Sequence, residues 1–281
     1  FAKLFAFGGW VSVSQILTPL LVYVDRIFIG AFLSLSAVAY YTVQQEVLLR
    51  LLIIPQSIAT TLYPAFSEHS ARHPDGSQTE RVYFRSLNYI ILLMLPIVVV
   101  FFVYAENILR LWVGEEYAAN SASVMQVFAL GLFFNALAQI PFTALHAYGY
   151  PEVTAKFHLY ELPLTVGLNL TLIPWLGIIG AALTWSTRVL VDTVLLFVFF
   201  HKHVGQSYQA LTRHLPERSA LVYSLPFVAC LSALFVDHAS IKLFVMAVFA
   251  VLYVLGIWVY GFDDTDRKFF FQLCAKMFRR F

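Results

Sequence analysis

The sequence predicts an all-α integral membrane protein with about eight transmembrane helices, and three observations predict it. Hydrophobic residues fill 60% of the 281 positions, charged residues only 12%, and the mean hydropathy is +0.76. A soluble domain is about 45–50% apolar, so this chain lacks the polar surface to cover a water-soluble globule. The apolar residues fall into runs near the roughly 20-residue length that carries a helix across a bilayer core. Those runs are about twice the length of a barrel strand and lack in–out alternation, so helices rather than a closed barrel satisfy the backbone in lipid.

The spans read at 10–33, 38–64, 86–105, 121–147, 153–175, 177–201, 219–236 and 241–261. Pro19 in the first and Pro55 in the second each lack an amide hydrogen, and each is expected to break or kink its helix. The polar stretch 67–85 reads as a loop around Pro74-Asp75-Gly76. Residues 107–120 read as a short loop whose Trp112 and Tyr117 suit headgroup depth. Tyr148-Gly149-Tyr150-Pro151 and Pro174-Trp175-Leu176-Gly177 read as tight turns, and 201–218 as the longest polar connection. The tail at 267–281 mixes aromatic with basic residues, as an amphipathic helix on anionic membrane lipid does; it is not a nucleic-acid site.

The organisation expected is one lobe of about six spans at 1–204, two additional spans at 205–262, and a basic amphipathic cytoplasmic tail at 263–281. The chain opens at Phe1 with no charged n-region and no cleavage site, so the first span is not a signal peptide; the chain reads as a fragment of a longer membrane protein. Cys230 and Cys274 offer neither a disulfide framework nor metal spacing, His69 and His73 sit in a polar loop, and neither a metal nor a cofactor is expected. With residue 1 placed in the cytoplasm, thirteen of the 18 Lys and Arg fall on that side, and only Arg110 and Lys242 on the other. That asymmetry supports an even number of spans with both ends cytoplasmic.

Arg26, Arg50 and Arg188 remain, inside spans. A charge at mid-bilayer costs at least ~2.5–3.5 kcal/mol on insertion scales, so it faces a cavity or a partner. On the first helix, Ser14, Thr18 and Asp25 share one stripe, and Gln15, Pro19 and Arg26 the next. Glu46 with Arg50, and Arg188 with Asp192, stand four apart and are expected to pair along their own helices. Both pairs also read as self-neutralising packing devices, and Asp25-Arg26 as a snorkelling group. Three arginines in separate spans, none at a helix end, favour function. Arg26, Arg50, Arg188, Gln15, Ser14 and Thr18 are the candidate substrate-binding residues, and Asp25, Glu46, Asp192 and Glu161 the candidate ion-coupling residues. Glu161, with His158 and Tyr160, reads first as a carboxylate at the cytoplasmic mouth of its span. Asn135, Gln139 and His146 run down one side of the fourth span, where interhelical hydrogen bonding explains them as well as transport does.

Residues 7–72 (FGGWVSVSQILTPLLVYVDRIFIGAFLSLSAVAYYTVQQEVLLRLLIIPQSIATTLYPAFSEHSAR) carry Gly8-Gly9-Trp10, Asp25-Arg26 with Ile29-Gly30, Ala39-Tyr40-Tyr41, Pro55 with Ser57, and Tyr63-Pro64. Later come Leu111-Trp112-Val113-Gly114-Glu115-Glu116-Tyr117, Gly149-Tyr150-Pro151 and Gly177-Ile178-Ile179-Gly180-Ala181-Ala182. As a set, over residues 1 to about 200, these resemble bacterial O-antigen-type polysaccharide flippases of the multidrug/oligosaccharidyl-lipid/polysaccharide transporter superfamily. The resemblance implies two six-helix lobes around a central cavity, alternating access, and a bacterial inner-membrane location. This chain would be the second lobe plus two terminal helices, with the N-terminal lobe absent. In the related lipid II flippases an arginine stands five residues before a proline, as Arg50 does before Pro55, but Leu49 replaces the aspartate that precedes it there.

The implied substrate is an undecaprenyl-diphosphate-linked glycan, and arginine forks suit its phosphates while hydroxyls and amides suit its sugars. Partners in polysaccharide biosynthesis are left unnamed. A multidrug or cation antiporter of the same superfamily is the first alternative, and it wants an acidic, aromatic cavity. A lipid II flippase is a second. A membrane glycan polymerase or ligase is a weaker one, because an enzyme acting outside needs a sizeable outer loop bearing acid–base groups; the chain is expected not to be an enzyme. A non-transporting membrane scaffold would leave the intramembrane arginines without a role.

Overall fold

The computed structural model describes residues 2–72, 79–204, 219–234, 236 and 238–261. The turn expected at Pro74-Asp75-Gly76, His73, the side chain of His69, most of the 201–218 connection, and the 263–281 tail with Cys274 lie outside the described residues. The chain order is α1 (Ala2–Phe32), α2 (Leu35–Arg50), α3 (Ile53–Arg72), α4 (Thr79–Val103), α5 (Ala105–Trp112), α6 (Glu115–Ala147), α7 (Pro151–Leu176), α8 (Ile178–Val204), α9 (Ser219–Leu234) and α10 (Ala239–Gly256), which closes in a π-helical turn, Ile257–Gly261. The all-α expectation holds throughout the described residues.

Among those residues, six helical stretches are long and apolar enough to cross a membrane: Gly8–Phe32, Leu35–Glu68, Glu80–Val103, Glu115–Ala147, Ile178–His203 and Ser240–Val259. The other two of the eight expected spans are helices of a different kind. α7 has 26 residues, about 39 Å of helix, but Glu152, Lys156, His158 and Glu161 crowd its first half. α9 has 16 residues, with an apolar stretch at Val222–Ser232 shorter than a bilayer core.

Local chemistry explains where helices stop. α1 runs unbroken through Pro19, against expectation. Pro55 acts as expected: its ring excludes the carbonyl four residues back, at Leu51. The Leu51, Leu52 and Ile54 amides accordingly donate to carbonyls three residues back, at 3.1, 3.1 and 3.2 Å, a tighter turn that separates α2 from α3. The loop expected at 107–120 is largely helical. Arg110 donates from Nη2 to Glu106 Oε1 and from Nε to Glu115 Oε2, both at 2.6 Å, tying α5 to the start of α6. Gly114 supplies the turn between them at φ 111°, a conformation open to glycine.

α6 is the central post, packed by α8 on one side and by α2, α3, α4 and α5 elsewhere. In lipid, close packing between helices replaces hydrophobic burial as the driving force, and small residues permit it. Ala129, Gly131, Ala136 and Ala138 of α6 are buried, as are Ala181 and Ala182 of α8. At Gly131 an added Cβ would lie 2.5 Å from Trp185 Cζ3 and 2.6 Å from Ser186 Oγ. Two α8 hydroxyls bond to α6 carbonyls across this seam, Ser186 to Val127 at 3.0 Å and Thr193 to Phe134 at 3.1 Å. α1 lies on α7, α7 on α8, and the α9–α10 hairpin on α4, where Tyr223 donates to Asn88 and Tyr253 to the Leu92 carbonyl. The outcome is lopsided: half of the apolar window in α4 and in α6 is buried (50% each), against 17% in α1 and 22% in α2–α3.

Candidate functional site

A cavity of about 570 Å³ opens on the thinly covered side, bounded by α1, the α2–α3 break, α6, α7 and α8. Ser14, Gln15 and Thr18, the hydroxyl and amide stripe read in α1, line it. Gln15 and Thr18 are exposed and Ser14 is buried, so the stripe runs from mouth to interior. Leu49, Leu52 and Gln56, on either side of the α2–α3 break, form another wall. Asn135, Gln139 and His146 form the α6 wall. Gln139 donates to Asn135 of its own helix at 3.2 Å, and both side chains front the cavity rather than a neighbouring helix.

The floor is charged. Arg188 lines the cavity, is 7% exposed, and donates from Nη1 to Glu161 Oε2 of α7 at 3.2 Å. Sequence spacing pairs Arg188 with Asp192 on its own helix. The structure instead makes its ion pair across to α7, with an Asp192 carboxylate oxygen within 4.8 Å of Glu161. Glu161 is therefore no interfacial carboxylate: it is 2% exposed and ten residues into its helix. Ser14 Oγ, His158 Nδ1, Glu161 Oε1, Trp185 Nε1 and Arg188 Nε, all on residues at this floor, are buried without a hydrogen-bond partner. Buried polar atoms are rarely left so, and their gathering marks a place built for a polar occupant.

Asp25 is held differently. It is fully buried beside the cavity, accepting from Tyr41 Oη at 2.7 Å and Asn169 Nδ2 at 2.6 Å, so one carboxylate ties α1 to α2 and α7. Arg26 does not reach the cavity. Its guanidinium donates to Gln45 Oε1 at 2.9 and 3.2 Å and to Glu46 Oε1 at 2.8 Å, and lies over the Tyr23 ring. Glu46 thus pairs with Arg26 on α1 rather than with Arg50 four residues on, because helix contact brings Arg26 alongside while Arg50 turns outward. Arg50 is exposed at the end of α2, lines no wall of the cavity, and has no side-chain partner among the described residues. Of the three intramembrane guanidiniums, the structure brings one, that of Arg188, to the chamber.

Besides Glu161 and His158, already singled out, the residues passed over in the sequence are Thr154, Thr165 and Asn169 of α7. Thr154, His158, Glu161, Thr165 and Asn169 recur at spacings of four, three, four and four, and all are buried. Leu159, Leu164, Leu170 and Trp175 on the same helix are exposed. α7 is polar inward and apolar outward, the inverse of a water-soluble amphipathic helix, and that inversion is the signal that identifies its inner face. His158, Glu161 and Asp192 bring potential ligand atoms within 4.8 Å of one another. The Arg188 guanidinium sits against Glu161 and supplies one positive charge there.

Residues 1–122 match the family model described as “Polysaccharide biosynthesis protein”. Over these residues the chain carries the sequence pattern of that polysaccharide biosynthesis family. It is 38% identical over 196 residues to the “Putative O-antigen transporter” of Shigella flexneri, covering 70% of this chain and 46% of that one. Two proteins of Haloferax volcanii are also similar. One, a “Probable low-salt glycan biosynthesis flippase”, is 27% identical over 209 residues, or 74% of this chain and 43% of its own. The other, a “Probable flippase”, is 24% identical over 254 residues, or 85% and 49%. The chain spans about half the length of these family relatives.

Proposed function

We propose that this chain forms the second lobe and terminal helices of a bacterial inner-membrane flippase, both ends cytoplasmic, that moves an undecaprenyl-diphosphate-linked glycan across the bilayer by alternating access. The observation that carries this reading is the composition of the chamber: one buried guanidinium at the floor, with amides, hydroxyls and imidazoles around it. A guanidinium forks onto phosphate oxygens through paired, charge-assisted hydrogen bonds. Ser14, Gln15, Thr18, Asn135 and Gln139 supply donors and acceptors suited to sugar hydroxyls.

Arg50 supports the same reading from the other direction. It lies near the middle of the Leu35–Glu68 span and is exposed, as are Ser57, Thr60 and Thr61 further along the same span. An arginine at that depth facing hydrocarbon is costly, so this face of α1, α2 and α3 turns toward the remainder of the full-length protein and the substrate path. A cation antiporter is the rival reading, because Asp192 lines the same cavity and Glu161 lies against Arg188; the Arg188 guanidinium is the group that separates the two readings.

The test is export in cells carrying full-length protein. Replacing both Arg188 and Glu161 by Gln keeps the buried charge balance while removing the fork. Loss of surface polysaccharide with normal membrane insertion is expected. Wild-type surface polysaccharide would contradict the reading.

A further inference from the structure

The chamber floor carries one more formal negative charge than positive. Two carboxyls, Glu161 and Asp192, bring oxygens within 4.8 Å of each other, and the one guanidinium beside them, Arg188, pairs with Glu161. Two ionised carboxylates this close repel each other, and a second negative charge beside one arginine is uncompensated. From α1, Asp25 adds negative charge and is held by Tyr41 and Asn169, while Arg26 is engaged by Glu46 of α2. From α6, His146 faces the cavity; on α7 itself, His158 stands one turn from Glu161, with Glu152 and Lys156 beyond it. His158 Nδ1 and Glu161 Oε1 are buried and without a hydrogen-bond partner.

We propose that Glu161 and Asp192 form a proton-binding pair that competes with a phosphate-type anion for Arg188, so that anion binding at this chamber takes up a proton. This inference rests on the flippase reading for its anion. With the pair ionised, Glu161 occupies Arg188 and stands in for the anion. When one proton joins the pair, it forms an O–H bond on one carboxyl and hydrogen-bonds the other. Arg188 then turns its donors to the incoming phosphate oxygens, and no covalent bond of the anion changes. The entering negative charge and the entering proton cancel, so the buried charge is unaltered. Thr154, His158 and Glu161 share the inner stripe of α7, and His146 Nε2 lies 2.8 Å from Thr154 Oγ1. His158 and His146 thus lie between the carboxyl pair and the α6–α7 turn, and they are the route by which the proton exchanges.

The experiment uses the full-length protein in nanodiscs, with undecaprenyl diphosphate as the probe. Calorimetric titration in two buffers of different ionisation enthalpy counts protons taken up per anion. About one is expected near neutral pH, falling toward zero in Glu161→Gln; Asp192→Asn carries the same expectation should the first variant fail to fold. In His158→Gln the count stays and the exchange slows. Anion binding by the wild type with no proton uptake, or undiminished uptake in the folded variants, overturns the proposal. If the probe does not bind, the substrate reading fails by itself. Infrared difference spectra against pH then decide the proton site: a protonated-carboxyl band lost in Glu161→Gln or Asp192→Asn upholds it, and no such band in the wild type overturns it.

Discussion

Arg188 of α8 and Glu161 of α7 meet at 3.2 Å across a helix interface, 27 residues apart in sequence and both buried. The contact makes the chamber floor a single electrostatic unit shared by two helices. Breaking such a pair from one side leaves an uncompensated buried charge, a penalty of about 3–5 kcal/mol, whereas removing both partners together can be close to neutral.

That asymmetry predicts a non-additive pair. Arg188→Ala strands Glu161 and Asp192 and is expected to lower the stability of the full-length protein by about 3–5 kcal/mol. Adding Glu161→Gln to Arg188→Gln is expected to restore most of it. Unfolding in mixed detergent micelles, read by circular dichroism, measures both. Equal losses in the single and double variants would mean that the two side chains are not coupled.

Asp25 is the acceptor for two buried donors on two other helices. Asp25→Ala strands both, and each unsatisfied buried donor costs about 1–3 kcal/mol. Tyr41→Phe removes one donor and leaves Asp25 its bond from Asn169. The same unfolding measurement is therefore expected to rank Asp25→Ala well below Tyr41→Phe; the reverse order would place the anchor on Tyr41 and its ring packing.

The seam between α6 and α8 makes a sharper steric prediction. A methyl at Gly131 meets the buried Trp185 ring, while one at Gly167 meets nothing within 4 Å. Gly131→Ala is expected to cost about 1–3 kcal/mol through overpacking and to shift Trp185 fluorescence. Gly167→Ala is expected to be neutral or stabilising by up to about 1 kcal/mol, from helix propensity. Similar costs at both sites would mean that α6 and α8 do not pack this closely.

Much of this architecture is legible in the sequence because lipid imposes a one-dimensional rule. A run of apolar residues near bilayer length must be a helix, so α1, α4, α6, α8 and α10 stand near their expected bounds. Pro55 announces the break between α2 and α3 because the clash with the carbonyl four residues back is local. Partner choice is not local. Four-residue spacing suggests Arg188–Asp192 and Glu46–Arg50, yet the closest opposite charges lie on neighbouring helices, at Glu161 and Arg26. Glu161 reads as interfacial because it falls toward the cytoplasmic mouth of its span. Only the inner stripe of α7, from Thr154 to Asn169, shows that the polarity points into the protein.

The central claim is that Arg188 at the chamber floor contacts the anionic head of the substrate. Equilibrium binding of undecaprenyl diphosphate to the full-length protein tests it most directly, comparing wild type with the charge-balanced Arg188→Gln, Glu161→Gln double variant. A hydrogen bond to a charged group contributes about 1.5–3 kcal/mol, so the double variant is predicted to bind at least about tenfold more weakly while remaining folded. Unchanged affinity in a folded double variant would contradict the account.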